Sequence, residues 1–256
     1  MPWYSYPLIF VAGLSAGAIN TLAGSGSLIT LPLLIFFGLP AGIANGTNRV
    51  AILLQNVVGS ASYRSQGVLD SRGAAWLSAP AVVGAIIGAQ IAVDLNETVL
   101  RQVIGVIMIA MLFIVILQPH KWLEGELKEL TGRPNTKSLI AFFFIGLYGG
   151  FIQAGVGIFL LSGLVLLVGY DIVRANAVKV LIVLFFTLFA LIVFILNNQV
   201  DWGVGLVLAS GNMLGAWAAA RMAVEKGSVW VMRILVATLA ISAAYLLGFF
   251  EWLSRL

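Results

Sequence analysis

The sequence predicts an all-α integral membrane fold, with about ten helical segments arranged as two five-segment repeats of inverted topology. Three observations carry this. The chain is 61% hydrophobic and only 9% charged, whereas soluble domains carry about 25% charged residues, so a soluble core of this size could not hide its apolar surface. The first charged residue along the chain is Arg49. A constant offset of 131 residues, as between Gly24 and Gly155, brings glycine and polar positions of the two halves into register.

A helix needs roughly 20 apolar residues to cross the hydrocarbon core. In chain order the segments fall at 7–23, 27–40, 45–62, 74–93 and 99–117, then 138–154, 157–169, 174–196, 203–220 and 229–248. The opening residues lack a basic stretch, which argues against a cleaved signal peptide. The second and seventh segments are short, and each follows a glycine break, Gly24-Ser25-Gly26 and Gly155-Val156-Gly157. Each pair of segments reads either as two short spans or as a re-entrant hairpin. Pro32 and Pro80 are expected to kink their helices. The polar stretch 118–137 is expected to be a cytoplasmic linker between an N-terminal repeat, 1–117, and a C-terminal repeat, 138–256.

Basic residues set the orientation. Eleven fall on one side (Arg64, Arg72, Lys121, Lys128, Arg133, Lys137, Arg174, Lys179, Arg221, Lys226 and Arg233) and three, Arg49, Arg101 and Arg255, on the other. The richer side is expected to be cytoplasmic, with both termini outside. Trp3, Trp76, Trp122, Trp202, Trp230 and Trp252 sit near segment ends, as an interfacial belt would.

The same register pairs Gly38 with Gly169, Ala44-Asn45 with Ala175-Asn176, Asp70 with Asp201, and Gly84-Ala85 with Gly215-Ala216. An odd number of segments per half makes the second half enter from the opposite side. Secondary transporters commonly use that arrangement, with the site near the midplane where interrupted helices meet. Helix ends there expose N–H groups suited to an anion.

Three sets of residues could carry chemistry. Around the breaks stand Asn20, Thr21, Ser25, Gly26 and Ser27, and in the second half Gln153, Gly155 and Gly157. Glycine lets a backbone turn and approach a ligand, and small residues also simply pack helices closely. The second set is Asn45, Asn48 and Arg49 with their mates Asn176 and Lys179. Here helix capping and interfacial anchoring stand beside recognition of an anion. Gln55 and Asn56, further along the same helix, either line a path or knit helices together. The third set is Asp70 and Asp201, which read as helix caps or as proton acceptors in a coupled cycle. Gly84-x3-Gly88 and Gly215 with Ala219 read as close helix packing.

Several classes are excluded. Cysteine is absent, and the one histidine, His120, lies in the polar stretch, so neither a thiolate nor a histidine metal centre is expected. No cofactor is expected. The net charge of +4 is scattered between apolar runs, which argues for topology signals and against nucleic acid. No acid lies within a segment, so the pattern lacks the nucleophile, base or ligand set of a membrane-embedded enzyme. An anion channel stays open as an alternative, since inverted repeats serve channels too. The expected partners are a small anionic substrate and the lipid bilayer, and a homo-oligomer is compatible with the pattern.

Gly13-Leu14-x2-Gly17, the run Ala23-Gly24-Ser25-Gly26-Ser27-Leu28, and Gly46-Thr47-Asn48-Arg49 resemble the sulfite exporter TauE/SafE family. Gly146-Leu147-Tyr148-Gly149-Gly150 and Gly155-Val156-Gly157 fit the same pattern in the second half. The resemblance covers essentially the whole chain. It implies transport of sulfite, sulfoacetate or other organosulfonates across a prokaryotic cell (inner) membrane by alternating access. Two features depart from it: the short Gly-Ser-Gly of the first break, and Val178-Lys179 in place of a Thr-Asn pair.

Overall fold

The computed structural model describes residues 5–117 and 135–246. Its described residues form nine α-helices and no strand: α1 (Ser5–Ala23), α2 (Ser27–Phe36), α3 (Ala41–Ser65), α4 (Ser71–Asp94), α5 (Glu97–Leu117), α6 (Thr136–Phe151), α7 (Val156–Ser162), α8 (Ile172–Leu196) and α9 (Trp202–Leu246). A π-helical stretch, Gly163–Val168, prolongs α7. The polar linker, apart from its last residues, lies outside the described residues, as do Trp3, Trp122 and Trp252.

Among the described residues, four stretches are long and apolar enough to cross a membrane: α1, α4, α8 and Trp202–Lys226 of α9. Large apolar side chains cover the outside of the bundle, Phe36 at 83% and Leu196 at 76% exposure among them. A soluble monomer seldom exposes so much apolar surface, whereas lipid accepts it. Helix α3 has the opposite composition. It is 25 residues long and turns Asn45, Thr47, Asn48, Arg49, Gln55 and Asn56 inward.

The duplication extends to the backbone. Among the described residues the left-handed conformations fall at Gly24, Gly38 and Gly67, then at Gly155, Gly169 and Asn198. The last three lie 131 positions after the first three. Helices α3 and α8 share the same offset at both ends. Packing is reciprocal too: α1 lies along α9, and α4 lies along α6. In the first pair Gly13 and Gly17 meet the backbone of Leu208 and Asn212, while Gly211 and Gly215 meet that of Phe10 and Leu14. In the second, Gly84 and Gly88 face the backbone of Phe143 and Leu147, and Gly146 and Gly150 that of Ala81 and Ala85. Bare glycine surfaces let the main chains approach, so van der Waals contact holds the pairs where lipid offers no hydrophobic drive.

Two boundaries differ from expectation. The ninth and tenth segments form one continuous helix, α9, of 45 residues. Its middle, Arg221-Met222-Ala223-Val224-Glu225-Lys226-Gly227-Ser228, holds no proline and a single glycine. At the corresponding place in the first half one helix ends at Asp94 and the next starts after Asn96, whose side chain accepts from Val99 N at 2.9 Å. Helices α3 and α8 also start earlier than their apolar patterns suggest, after Pro40 and Asp171. Asp171 caps α8 by accepting from the amides of Val173 and Arg174. Asn45 and Asn176 therefore stand inside the helices and not at their caps.

Candidate functional site

Helix α1 stops at Gly24 and α6 at Ile152, and each break leaves backbone carbonyls short of intrahelical donors, Asn20 O keeping only the amide of Gly24 at 2.9 Å. The second half supplies the donor to the first. Lys179 Nζ, on α8, donates to Asn20 O at 3.0 Å and Thr21 O at 2.8 Å, at the end of α1. It also donates to Asn176 Oδ1, one turn back, at 2.6 Å. The first half returns the arrangement. Arg49, on α3, donates through Nη1 to Gly149 O at 3.0 Å and through Nη2 to Gly150 O at 2.5 Å, at the end of α6. Asn45 Nδ2 donates to Phe151 O at 2.9 Å, and its Oδ1 accepts from Arg49 Nη2 at 3.4 Å. The Arg49 guanidinium also lies 4.6 Å from the centre of the Phe194 ring. Each half thus places a cation on the broken helix of the other.

Both cations are buried, Arg49 at 0% and Lys179 at 2% exposure. The ion pairs among the described residues, Arg101–Glu97 and Arg174–Asp171, sit at helix ends and involve neither. The compensating charge is the partial negative end of a helix, where cations are favoured. The two residues that the sequence assigned to opposite faces of the membrane are interior groups, so neither counts as a loop charge for orientation.

The breaks meet each other directly. Gly157 N donates to Gly24 O at 3.2 Å. Beside this contact lies a cavity lined by Asn20, Gly24, Asn56, Gln153, Val156, Gly157, Lys179 and Val183, with room for about one water molecule. Gln153 Nε2 donates to Thr187 Oγ1 at 2.6 Å, while its buried Oε1 has no partner among the described residues. Buried Thr21 Oγ1 and Ser25 Oγ are likewise unpartnered. The polar lining is amide and ammonium with no carboxylate, so its one formal charge is positive, which favours an anion. No cluster able to hold a metal stands among the described residues.

The cavity gathers Asn20, Gln153, Gly157 and Lys179 of the sequence candidates. Asn45, Arg49 and Asn176 form the supporting layer behind it. Asn48 accepts from Thr30 Oγ1 at 2.8 Å and so ties α2 to α3. Gly26 packs on the backbone of Ala16, and Ser27 is buried at the start of α2. Gly155 supplies the left-handed turn, at φ 74°, that opens α7. Asp70 and Asp201 cap α4 and α9 through the amides of Gly73 and Val204, at 2.9 and 3.0 Å. Neither lines the cavity.

Two polar side chains were missed in the sequence. Asn212 Nδ2 donates to Gln55 Oε1 at 3.0 Å, and Asn20 Nδ2 reaches the same oxygen at 3.3 Å, so Gln55 joins α1, α3 and α9. Thr187 holds Gln153. The usable signal was a lone polar residue inside an apolar segment, which is rare without a purpose. Of the earlier pair of readings for Gln55 and Asn56, Gln55 knits helices and Asn56 lines the cavity.

The family model described as sulfite exporter TauE/SafE matches residues 9–246. A probable membrane transporter protein, ORF9, of Sinorhizobium sp is 29% identical over 89% of this chain and 87% of its own length. The probable membrane transporter protein YfcA of Escherichia coli (strain K12) is 28% identical over 94% of this chain and 88% of its own. YunE of Bacillus subtilis (strain 168), named likewise, is 22% identical over 94% of this chain and 98% of its own. No solved structure matches the chain.

Proposed function

The chain belongs to the sulfite exporter TauE/SafE family of membrane transporters, and from that premise we propose that it is a secondary transporter of small sulfur-containing anions. Sulfite, sulfoacetate and other organosulfonates are the substrate class. The observation that carries the reading is the cavity between the two breaks, whose lining of Asn20, Asn56, Gln153 and Lys179 offers hydrogen-bond donors and one cation without a carboxylate. The Lys179 N–H groups are held by Asn20 O, Thr21 O and Asn176 Oδ1, so what suits an oxyanion is the positive charge beside the cavity together with the second N–H of each lining amide.

The cycle is alternating access between two halves of inverted topology. With room for about one water, the cavity is closed around no more than that in this conformation. Substrate enters when one half rocks against the other and the Gly24–Gly157 contact opens. The protein sits in a prokaryotic inner membrane; because segments nine and ten run on as the single helix α9, the even number of crossings that put both termini outside does not carry over. It acts as a carrier, in keeping with the transporter names of its family and relatives.

Counterflow of labelled sulfite in proteoliposomes tests this, with unlabelled sulfonates, thiosulfate, sulfate and carboxylates as competitors. Transient accumulation abolished by one sulfur anion is the expected result. Uptake without counterflow would point to a channel. No flux of any of these anions through folded protein would remove the sulfur assignment.

A further inference from the structure

The two buried cations are equivalent in position and unlike in chemistry. Arginine keeps its proton under all conditions a protein meets, whereas a buried lysine can exchange it. Arg49 is matched to that permanence. Its partner Asn45 uses both ends of its amide, Oδ1 toward the guanidinium and Nδ2 toward Phe151 O, so the amide has one orientation.

Lys179 sits in a different cage. Its three acceptors, Asn20 O, Thr21 O and Asn176 Oδ1, match the three N–H donors of an ammonium. Asn176 is fully buried, and its Nδ2 has no partner among the described residues. A neutral amine has two N–H groups and a lone pair, so one of the three oxygens would then face the lone pair. Half a turn of the Asn176 amide removes that conflict by presenting Nδ2 as a donor to Nζ. The oxygen and nitrogen ends of an amide occupy nearly the same space, so no backbone need move. One cage thus fits both protonation states, and the unpartnered amide nitrogen is what the second state uses.

Lys179 is also the one titratable side chain lining the cavity. Helix α7 carries no titratable residue, and α1 carries Tyr6, near its start, which does not line the cavity. Helix α3 carries Arg49, Tyr63 and Arg64, α4 carries Arg72 and Asp94 with Asp70 at its cap, and α6 carries Lys137 and Tyr148. Arg221, Glu225 and Lys226 lie on the described part of α9, and Asp171 and Arg174 begin α8 itself after Tyr170. Each hydrogen bond of Lys179 goes to a neutral oxygen, none to these groups.

We propose that Lys179 carries the proton that is coupled to transport, with Asn176 turning its amide to suit the charged and neutral amine. The inference rests on the transport reading above. The anion travels beside the ammonium. After it leaves, an Nζ–H bond breaks, the electron pair stays on nitrogen, and the proton passes to water on the open side. The amine takes a proton from water before the next anion binds, so one proton moves with each anion. Arg49, at the related position, remains the fixed pin.

Two measurements on the full-length protein test this. The first is nitrogen NMR of protein labelled at the lysine side chains, titrated over the pH range in which it stays folded. The Lys179 signal, identified by its loss in Lys179→Arg or its displacement in Asn176→Asp, is expected to pass from ammonium to amine. Asn176→Asp, which offers acceptors only, is expected to hold the ammonium to higher pH. A signal that stays ammonium throughout overturns the proposal, and an Asn176→Asp titration identical to wild type removes the amide switch. The second is labelled-sulfite exchange in proteoliposomes as a function of pH. Wild-type exchange is expected to vary with pH, and Lys179→Arg exchange, whatever its rate, to lose that variation. A retained wild-type profile overturns the proposal. If the wild type exchanges no sulfite, the substrate reading fails, and the NMR titration still decides whether Lys179 switches.

Discussion

The amide of Gly157 donates to the carbonyl of Gly24 at 3.2 Å, joining the two broken helices main chain to main chain. A Cβ at either residue would run into the backbone of the other. The closure of the cavity therefore depends on the absence of side chains at this crossing.

Three alanine substitutions separate the two demands placed on glycine here. Gly157→Ala loses the contact alone, since no positive φ is required of it. Gly38→Ala has open space but a φ of 94°, so it carries backbone strain alone, of order 1–3 kcal/mol. Gly24→Ala, at φ 75°, suffers both. Thermal unfolding in detergent is expected to rank Gly24→Ala as the least stable. Anion exchange is expected to suffer in the two crossing variants and survive in Gly38→Ala.

Arg49→Ala strands the carbonyls of Gly149 and Gly150 in the interior. Each buried group left without a partner costs about 1–3 kcal/mol, so a loss of several kcal/mol is expected in denaturant or thermal melts. Arg49→Lys restores the charge but not the planar fork, and recovers part of the loss. An Arg49→Ala protein as stable as the wild type would contradict the pinning role.

Gln55 Oε1 accepts from both Asn20 and Asn212. Gln55→Leu and Asn212→Leu should each destabilise, and the double variant should lose less than the sum. Interhelical hydrogen bonds in membranes average about 0.6 kcal/mol in such cycles, and a coupling of that order is expected. Strict additivity would mean that the Asn212–Gln55 bond contributes nothing.

Burial raises the Asp70 carboxyl, but the Gly73 amide, the Tyr170 hydroxyl at 2.6 Å, the Arg72 amide and the charge of Arg174 outweigh it, leaving the group below the usual carboxylate range. Burial and Asp70 together hold the Tyr170 phenol protonated well beyond its ordinary range. A depressed carboxyl stabilises the fold above its unfolded value and stops doing so as pH falls through its folded value. Asparagine caps a helix about as well as aspartate, so Asp70→Asn is expected to lose near neutrality only the part of the stability that depends on the carboxylate charge. The gap to wild type should close on acidification. A gap that persists in acid would assign the loss to packing.

The membrane class, the segments as far as α8 and the duplication were legible in the sequence, because each reports a local property. Apolar length reports the solvent, and glycine recurring at one offset reports a repeated backbone. The left-handed positions at Gly24 and Gly155, Gly38 and Gly169 follow that offset. Continuity of α9 was not legible, since nothing local marks the difference between a connection and a helix that runs on through Arg221–Ser228.

The roles of the polar residues came from assembly. Arg49 and Lys179 look like interfacial charges along the chain. Their partners lie 100 residues away at Gly149 and 159 residues away at Asn20, so no window of sequence contains both ends of either bond. Asn212 was passed over for the same reason, its acceptor being 157 residues distant on another helix. Composition and pattern reveal that polar groups must be satisfied inside the membrane. Which group satisfies which is settled when the helices pack, because hydrogen bonds act over about 3 Å and are indifferent to separation along the chain.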